Sequence, residues 1–113
     1  MTHRTSTGSI WRLRHRDREI ARLTVTGTDF PWVRGDIETL PGYEDYRAVF
    51  AAHQRALDDE DYERADLLYD RIRADLTMTF PDEEPVAEFL LNVHGDGTAG
   101  WRWHDEPFDE EHG

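Results

Sequence analysis

The sequence predicts an α+β fold. It reads as a two-layer domain in which an antiparallel sheet of about six strands carries an αα-hairpin on one face. Three observations predict it. Residues 10–40 alternate apolar and polar with a period of two, the signature of half-buried strands. Residues 43–76 switch to three- and four-residue spacing, and residues 77–104 return to alternation between turn signals. The order is therefore three strands, two helices, three strands, and one sheet covered by both helices hides every apolar face.

The elements follow in chain order. Residues 1–8 are polar and patternless, and are expected to be disordered. Trp11 and Leu13 then share one parity with Arg12 and Arg14 on the other, and Ala21, Leu23 and Val25 repeat the pattern against Arg22 and Thr24. Pairing Trp11 with Leu23 and Leu13 with Ala21 keeps the apolar sets together, with Arg16 to Arg18 as a three-residue loop. In "WVRGDIETL" Val33 and Ile37 face inward, while Arg34, Asp36 and Glu38 face outward. "LPG" at 40–42 ends that strand because proline cannot donate to a ladder.

Tyr46, Val49, Phe50, His53, Ala56 and Leu57 mark one helical stripe, and Tyr62, Ala65, Leu68, Tyr69, Ile72 and Leu76 mark a second. "DDED" at 58–61 separates them, and an acid there caps the second helix. "LTMTF", "VAEFLLNVH" and "WRWH" form a second three-stranded meander around the turns "PDEEP" and "GDGTAG". Pairing Val93 with Trp101 and Leu91 with Trp103 leaves a loop centred on Gly97, and both Trp join Trp11 beneath the helices. The single α+β domain spans residues 9–108, Phe108 is a candidate docking residue, and 109–113 form an acidic tail.

Composition bounds the function. The chain has 113 residues, enough for one domain. No cysteine is present, which excludes disulfides, thiolate metal sites and a cysteine nucleophile. No run of apolar residues suits a signal peptide or a membrane span, so the expected location is the cytoplasm. The formal net charge is −12, yet five arginines crowd into "WRLRHRDREIARL" at 11–23. Residues 1–34 carry seven arginines against three acids, and residues 35–113 carry six against twenty-two. Alternation sends Arg12, Arg14 and Arg22 to the outer sheet face, where Asp36 and Glu38 are their expected partners in an ion-pair ladder.

Candidate chemistry is sparse. Ser6 and Ser9 lie in or beside the patternless start, and no acid–base pair converges, so no catalytic residue is assigned. His94 and His104 share the outer parity with Asp105 and Glu106 near, but about four residue steps separate the two imidazoles, and no metal site or cofactor is assigned. "GDGTAG" lies between strands without a following helix, and reads as a turn, not a phosphate loop. His53 sits on an apolar stripe and reads as a half-buried histidine with its hydrogen bonds satisfied, in preference to a general base. The acidic majority of the chain argues against binding nucleic acid.

The runs "LTVTGTDFPWVRGDI" and "EFLLNVHGDGTAGWRW" and the closing "DEPF" resemble small acidic proteins of GC-rich bacteria over about residues 9–108. The resemblance implies a shared fold and supplies no activity, substrate or site residue.

The expectation for function therefore rests on surfaces. Asp58, Asp59, Glu60, Asp61, Glu63, Asp66 and Asp70 form an acidic helical face suited to a basic protein partner, as in immunity proteins, antitoxins and nucleic-acid mimics. An alternative is a small-molecule or enzymatic site on the outer sheet face around Arg12, Arg14, Arg22, Asn92, His94, Arg102 and His104. A third is a homodimer formed through that same face.

Overall fold

A computed structural model describes residues 4–29 and 31–104. The expected acidic tail at 109–113 and the docking of Phe108 lie outside the described residues. The elements are β1 (Ile10–His15), β2 (Arg18–Asp29), β3 (Trp32–Thr39), a 3-10 turn (Pro41–Tyr43), α1 (Glu44–Asp58), α2 (Tyr62–Asp75), β4 (Thr77–Thr79), β5 (Glu88–Val93) and β6 (Thr98–His104). Both helices pack against a six-stranded antiparallel sheet, giving the α+β architecture that the change of period predicts. No helix among the described residues is long and apolar enough to cross a membrane.

The sheet order is β4-β1-β2-β3-β6-β5, which divides the expected second meander. β4 leaves β5 and β6 and pairs with β1, Leu13 opposite Met78, while β6 joins β3 with Val33 opposite Trp101. The two edges then approach each other. Thr79 bridges Pro85, and the Val86 N–H donates to the Met78 carbonyl at 2.8 Å, so the sheet curls towards a barrel. Curling lets one face of every strand enter a single core, whose fully buried members include Trp11, Leu13, Leu23, Leu91 and Trp101. Trp11 meets Phe80, Trp101 and Trp103 at ring distances of 5.0, 5.7 and 5.9 Å. Such tilted and edge-on aromatic contacts add to the area buried.

Two registers differ from expectation. Trp11 opposes Leu23 and Leu13 opposes Ala21 as alternation requires, but His15 already opposes Arg18, so the turn is only Arg16 and Asp17. The extra residue is Ile20, which bulges between the Leu13 and Arg14 pairs and is buried against the 3-10 turn at Gly42. In the last hairpin Leu91 opposes Trp101, Phe89 opposes Trp103 and Val93 opposes Ala99. This is a slip of two residues from the expected pairing, and a slip of two leaves every side chain on its original face. The loop is centred on Asp96, whose carboxylate accepts from Thr98 N–H and Oγ1 at 3.1 and 2.6 Å, while Gly97 takes a φ of 88°. That left-handed backbone suits glycine.

The helical hairpin forms between the expected limits, with Asp61 capping α2 by accepting from Arg64 N–H at 3.3 Å. Tyr62 departs from its predicted apolar stripe and is 59% exposed, because it occupies the first turn of α2 just ahead of the packed residues Ala65, Tyr69 and Ile72. Residues 4–8 run beside the sheet. Arg4 lies 3.6 Å from the centre of the Phe80 ring, its carbonyl accepts from Trp11 Nε1 at 2.7 Å, and Gly8 N–H donates to Val25.

Candidate functional site

The bulge at Ile20 decides what meets the arginines. Simple alternation would send Glu19 inward with Ala21 and Leu23. The extra residue instead places Glu19 opposite Arg14, on the outer face. Its carboxylate reaches Arg12 Nε at 3.0 Å with one oxygen and Arg22 Nε with the other. Arg12 and Arg22 are directly opposed across β1 and β2, so one acid between them removes a like-charge contact. The Arg22 guanidinium is held above its ordinary pKa chiefly by this hydrogen bond. The expected ladder to Asp36 and Glu38 reduces to Arg22 with Glu38 at 3.9 Å, and Arg14 turns to Glu83 at 4.0 Å.

The seven candidate residues of the sheet face therefore do not form one site. Arg12, Arg14 and Arg22 lie on β1 and β2, whereas Asn92, Arg102 and His104 lie on β5 and β6 and His94 just follows β5, with β3 in between. His94 N–H bonds Thr98 and His104 opposes Glu88, so the two histidines sit at opposite ends of the last hairpin. Asn92 and His94 line a groove of about 460 Å³ with Thr26, Asp29, Trp32 and Arg34. Gly100 is its floor, where a β-carbon would find His94 Nε2 and Trp32 Cε3 each 4.0 Å away. Trp32 is the residue that sequence reasoning missed. Its signal was present, since alternation that turns Val33 inward turns Trp32 outward. Arg34 pairs with Asp29 at 3.0 Å, and the Arg102 guanidinium stands 6.0 Å from the Trp32 ring with its Nε buried and unpartnered.

A second cavity, of about 570 Å³, begins on the other side of Trp32 and Asn92 and extends to α2. Its wall carries Asp66, Asp70, Tyr69, Arg73 and His53. Tyr69 fixes α2 to the sheet. Its hydroxyl donates to the Phe89 carbonyl at 2.7 Å and accepts from Leu91 N–H at 3.0 Å, taking the place of a neighbouring strand on the β5 edge. Burial pushes the Tyr69 phenol well above its ordinary pKa. Arg73 reaches Glu88 at 3.0 Å and Asp70 at 3.6 Å. His53 is 4% exposed, meets the Tyr69 ring at 5.2 Å with a 46° tilt, and has no hydrogen-bond partner at Nδ1, although the sequence predicts a satisfied histidine. Burial lowers its pKa, partly opposed by Asp66.

The acidic face divides in the same way. Asp58 accepts from Gln54 at 3.1 Å, Asp61 is occupied as a helix cap, and Asp70 pairs with Arg73. Asp59, Glu60, Glu63 and Asp66 are exposed and take part in no ion pair among the described residues. Asp66 and Asp70 converge with His53 on the second cavity, and Asp58 lines a different one. Among the described residues no group of three or more His, Asp or Glu side chains is arranged to hold a metal ion. Comparison with known proteins finds no match among family models, curated proteins or solved structures.

Proposed function

We propose that the chain is a non-enzymatic binding protein that holds, and thereby inhibits, a basic protein partner on its acidic helical hairpin. One observation carries this reading: acids of the chain itself pair with Arg12, Arg14, Arg22 and Arg34 on the sheet, while Asp59, Glu60, Glu63 and Asp66 take part in no ion pair among the described residues. Segregation of this kind gives the helical side a field that attracts and orients a positive surface, raising the association rate more than the affinity. The test is capture of partners on the immobilised chain, eluted by a salt gradient and repeated with Asp59→Arg and Asp66→Arg. A stoichiometric basic protein, released by salt and absent with the reversals, supports the reading; an empty eluate at low salt overturns it.

A second reading has its own observation, the indole of Trp32 beside the bare backbone of Gly100. A groove with an aromatic wall and convergent polar groups suits a small polar ring, and several hundred Å³ is a usual size for such sites. Binding there would fail with Trp32→Ala and survive the reversals on the hairpin.

A further inference from the structure

The cavity between α2 and the β5 edge combines depth, an aromatic wall and a buried polar group with Asp66, an acid that takes part in no ion pair among the described residues. Asp66 and Asp70 line the cavity beside one guanidinium, Arg73, which is already tied to Asp70 and, outside the lining, to Glu88. His53, also in the lining, is buried and leaves Nδ1 unpartnered. An unpartnered buried polar atom costs stability, so its persistence at a cavity wall calls for an explanation. Leu57 and Leu90 complete the lining with apolar surface, and Trp32 closes the side towards the outer groove.

Each feature fits one kind of occupant. An arginine side chain has an apolar stem that packs on leucine and a flat head with five donors. The head pairs with carboxylates in a fork and rests favourably on aromatic faces. Asp66, the wall carboxylate without a cationic partner, supplies the charge, and a neutral imidazole keeps one ring nitrogen as acceptor. An anion would meet Asp66 and Asp70, and a wholly apolar group would leave Asp66 and His53 unanswered. We propose that this cavity receives a single guanidinium group, the anchoring arginine of the basic partner. The proposal rests on the partner reading above and names the contact that gives it affinity, since buried arginines flanked by aromatic residues are frequent binding hot spots.

The test titrates the full chain with N-acetylarginine amide, following the His53 ring resonance by NMR after assignment with His53→Gln. A saturable shift is expected, with a dissociation constant on the order of millimolar for one side chain. The uncharged isostere N-acetylcitrulline amide should leave the resonance unmoved. Asp66→Asn should weaken binding by about tenfold or more, whereas Asp59→Asn, outside the cavity, should leave it within about twofold. Absence of saturation, an equal response to citrulline, or an unchanged Asp66→Asn titration would each overturn the proposal. So would agmatine binding more than about tenfold tighter than the amide, because the occupant would then be a free cation. The two ideas fail separately. Loss of the arginine titration with a basic partner still captured removes the cavity and keeps the hairpin, while an empty capture with an intact titration does the reverse.

Discussion

The Tyr69 hydroxyl accepts a hydrogen bond from the Leu91 backbone N–H at 3.0 Å, joining the middle of α2 to the outer edge of β5. The same oxygen donates to the Phe89 carbonyl at 2.7 Å. A strand edge ordinarily offers such groups to another chain, and here one side chain closes it. Tyr69→Phe keeps the ring and orphans both backbone groups. It should lower unfolding free energy by about 1 to 3 kcal/mol in urea melts and speed amide exchange at Leu91. Unchanged exchange at Leu91 would remove Tyr69 from this role.

Glu19 between Arg12 and Arg22 is a test of surface electrostatics. Glu19→Gln keeps the shape and leaves two opposed guanidiniums without their shared acid. The melting temperature should drop by a few degrees at most, since partly exposed pairs contribute little. The loss should shrink in high salt, which screens the repulsion that the variant exposes. A salt-independent loss would mean that Glu19 acts through packing.

His53 gives the chain a pH dependence of known sign. Burial lowers its pKa below the ordinary 6.5, although Asp66 opposes the shift, and Tyr69, Asp70 and Arg73 line the same cavity. In the window between the folded value and 6.5 the unfolded chain binds the proton and the native chain does not. Stability from this group is therefore full above 6.5 and declines as the pH falls towards the folded value. Denaturant midpoints measured across that window should fall more steeply for the natural chain than for His53→Gln. Parallel curves would show that His53 titrates alike in both states.

Two glycines on neighbouring strands should respond in opposite ways to alanine. At Gly35 a β-carbon would lie 2.2 Å from the Thr24 carbonyl oxygen and 2.9 Å from Trp101 Cη2, and neither can yield without moving the sheet or its core. Gly35→Ala should cost at least about 1 to 3 kcal/mol in thermal or urea unfolding. At Gly100 the nearest atom is 3.9 Å away, so Gly100→Ala should leave stability level or raise it by about 0.5 kcal/mol. It should also narrow the groove under Trp32, so any ligand of that groove should bind less well. Equal stability of the two variants would contradict the placement of Gly35.

Outside the bulge at Ile20 and the first turn of α2, the sequence by itself determined which side of each element faces the core. Trp11, Leu13, Leu23, Val33, Leu91 and Trp101 are buried as their parity requires, and Asp61 caps α2 as its place before the helix requires. These are local properties, set by the two-residue period of a strand and by the orphan amides of a first helical turn.

Tertiary structure decided the rest. Val93 paired with Trp101 or with Ala99 buries the same face, so alternation could not distinguish the two registers. β4 could continue a meander or cross to β1, and only the contacts of the curled core favour β1. The bulge at Ile20 moved Glu19 to the arginine face, against the parity of its neighbours. The cavity arose in the same way. Trp32, His53 and Asp66 come from three separate elements, and their meeting depends on Tyr69 drawing α2 onto the edge of β5. Such encounters depend on the path of the whole chain, which no local period encodes.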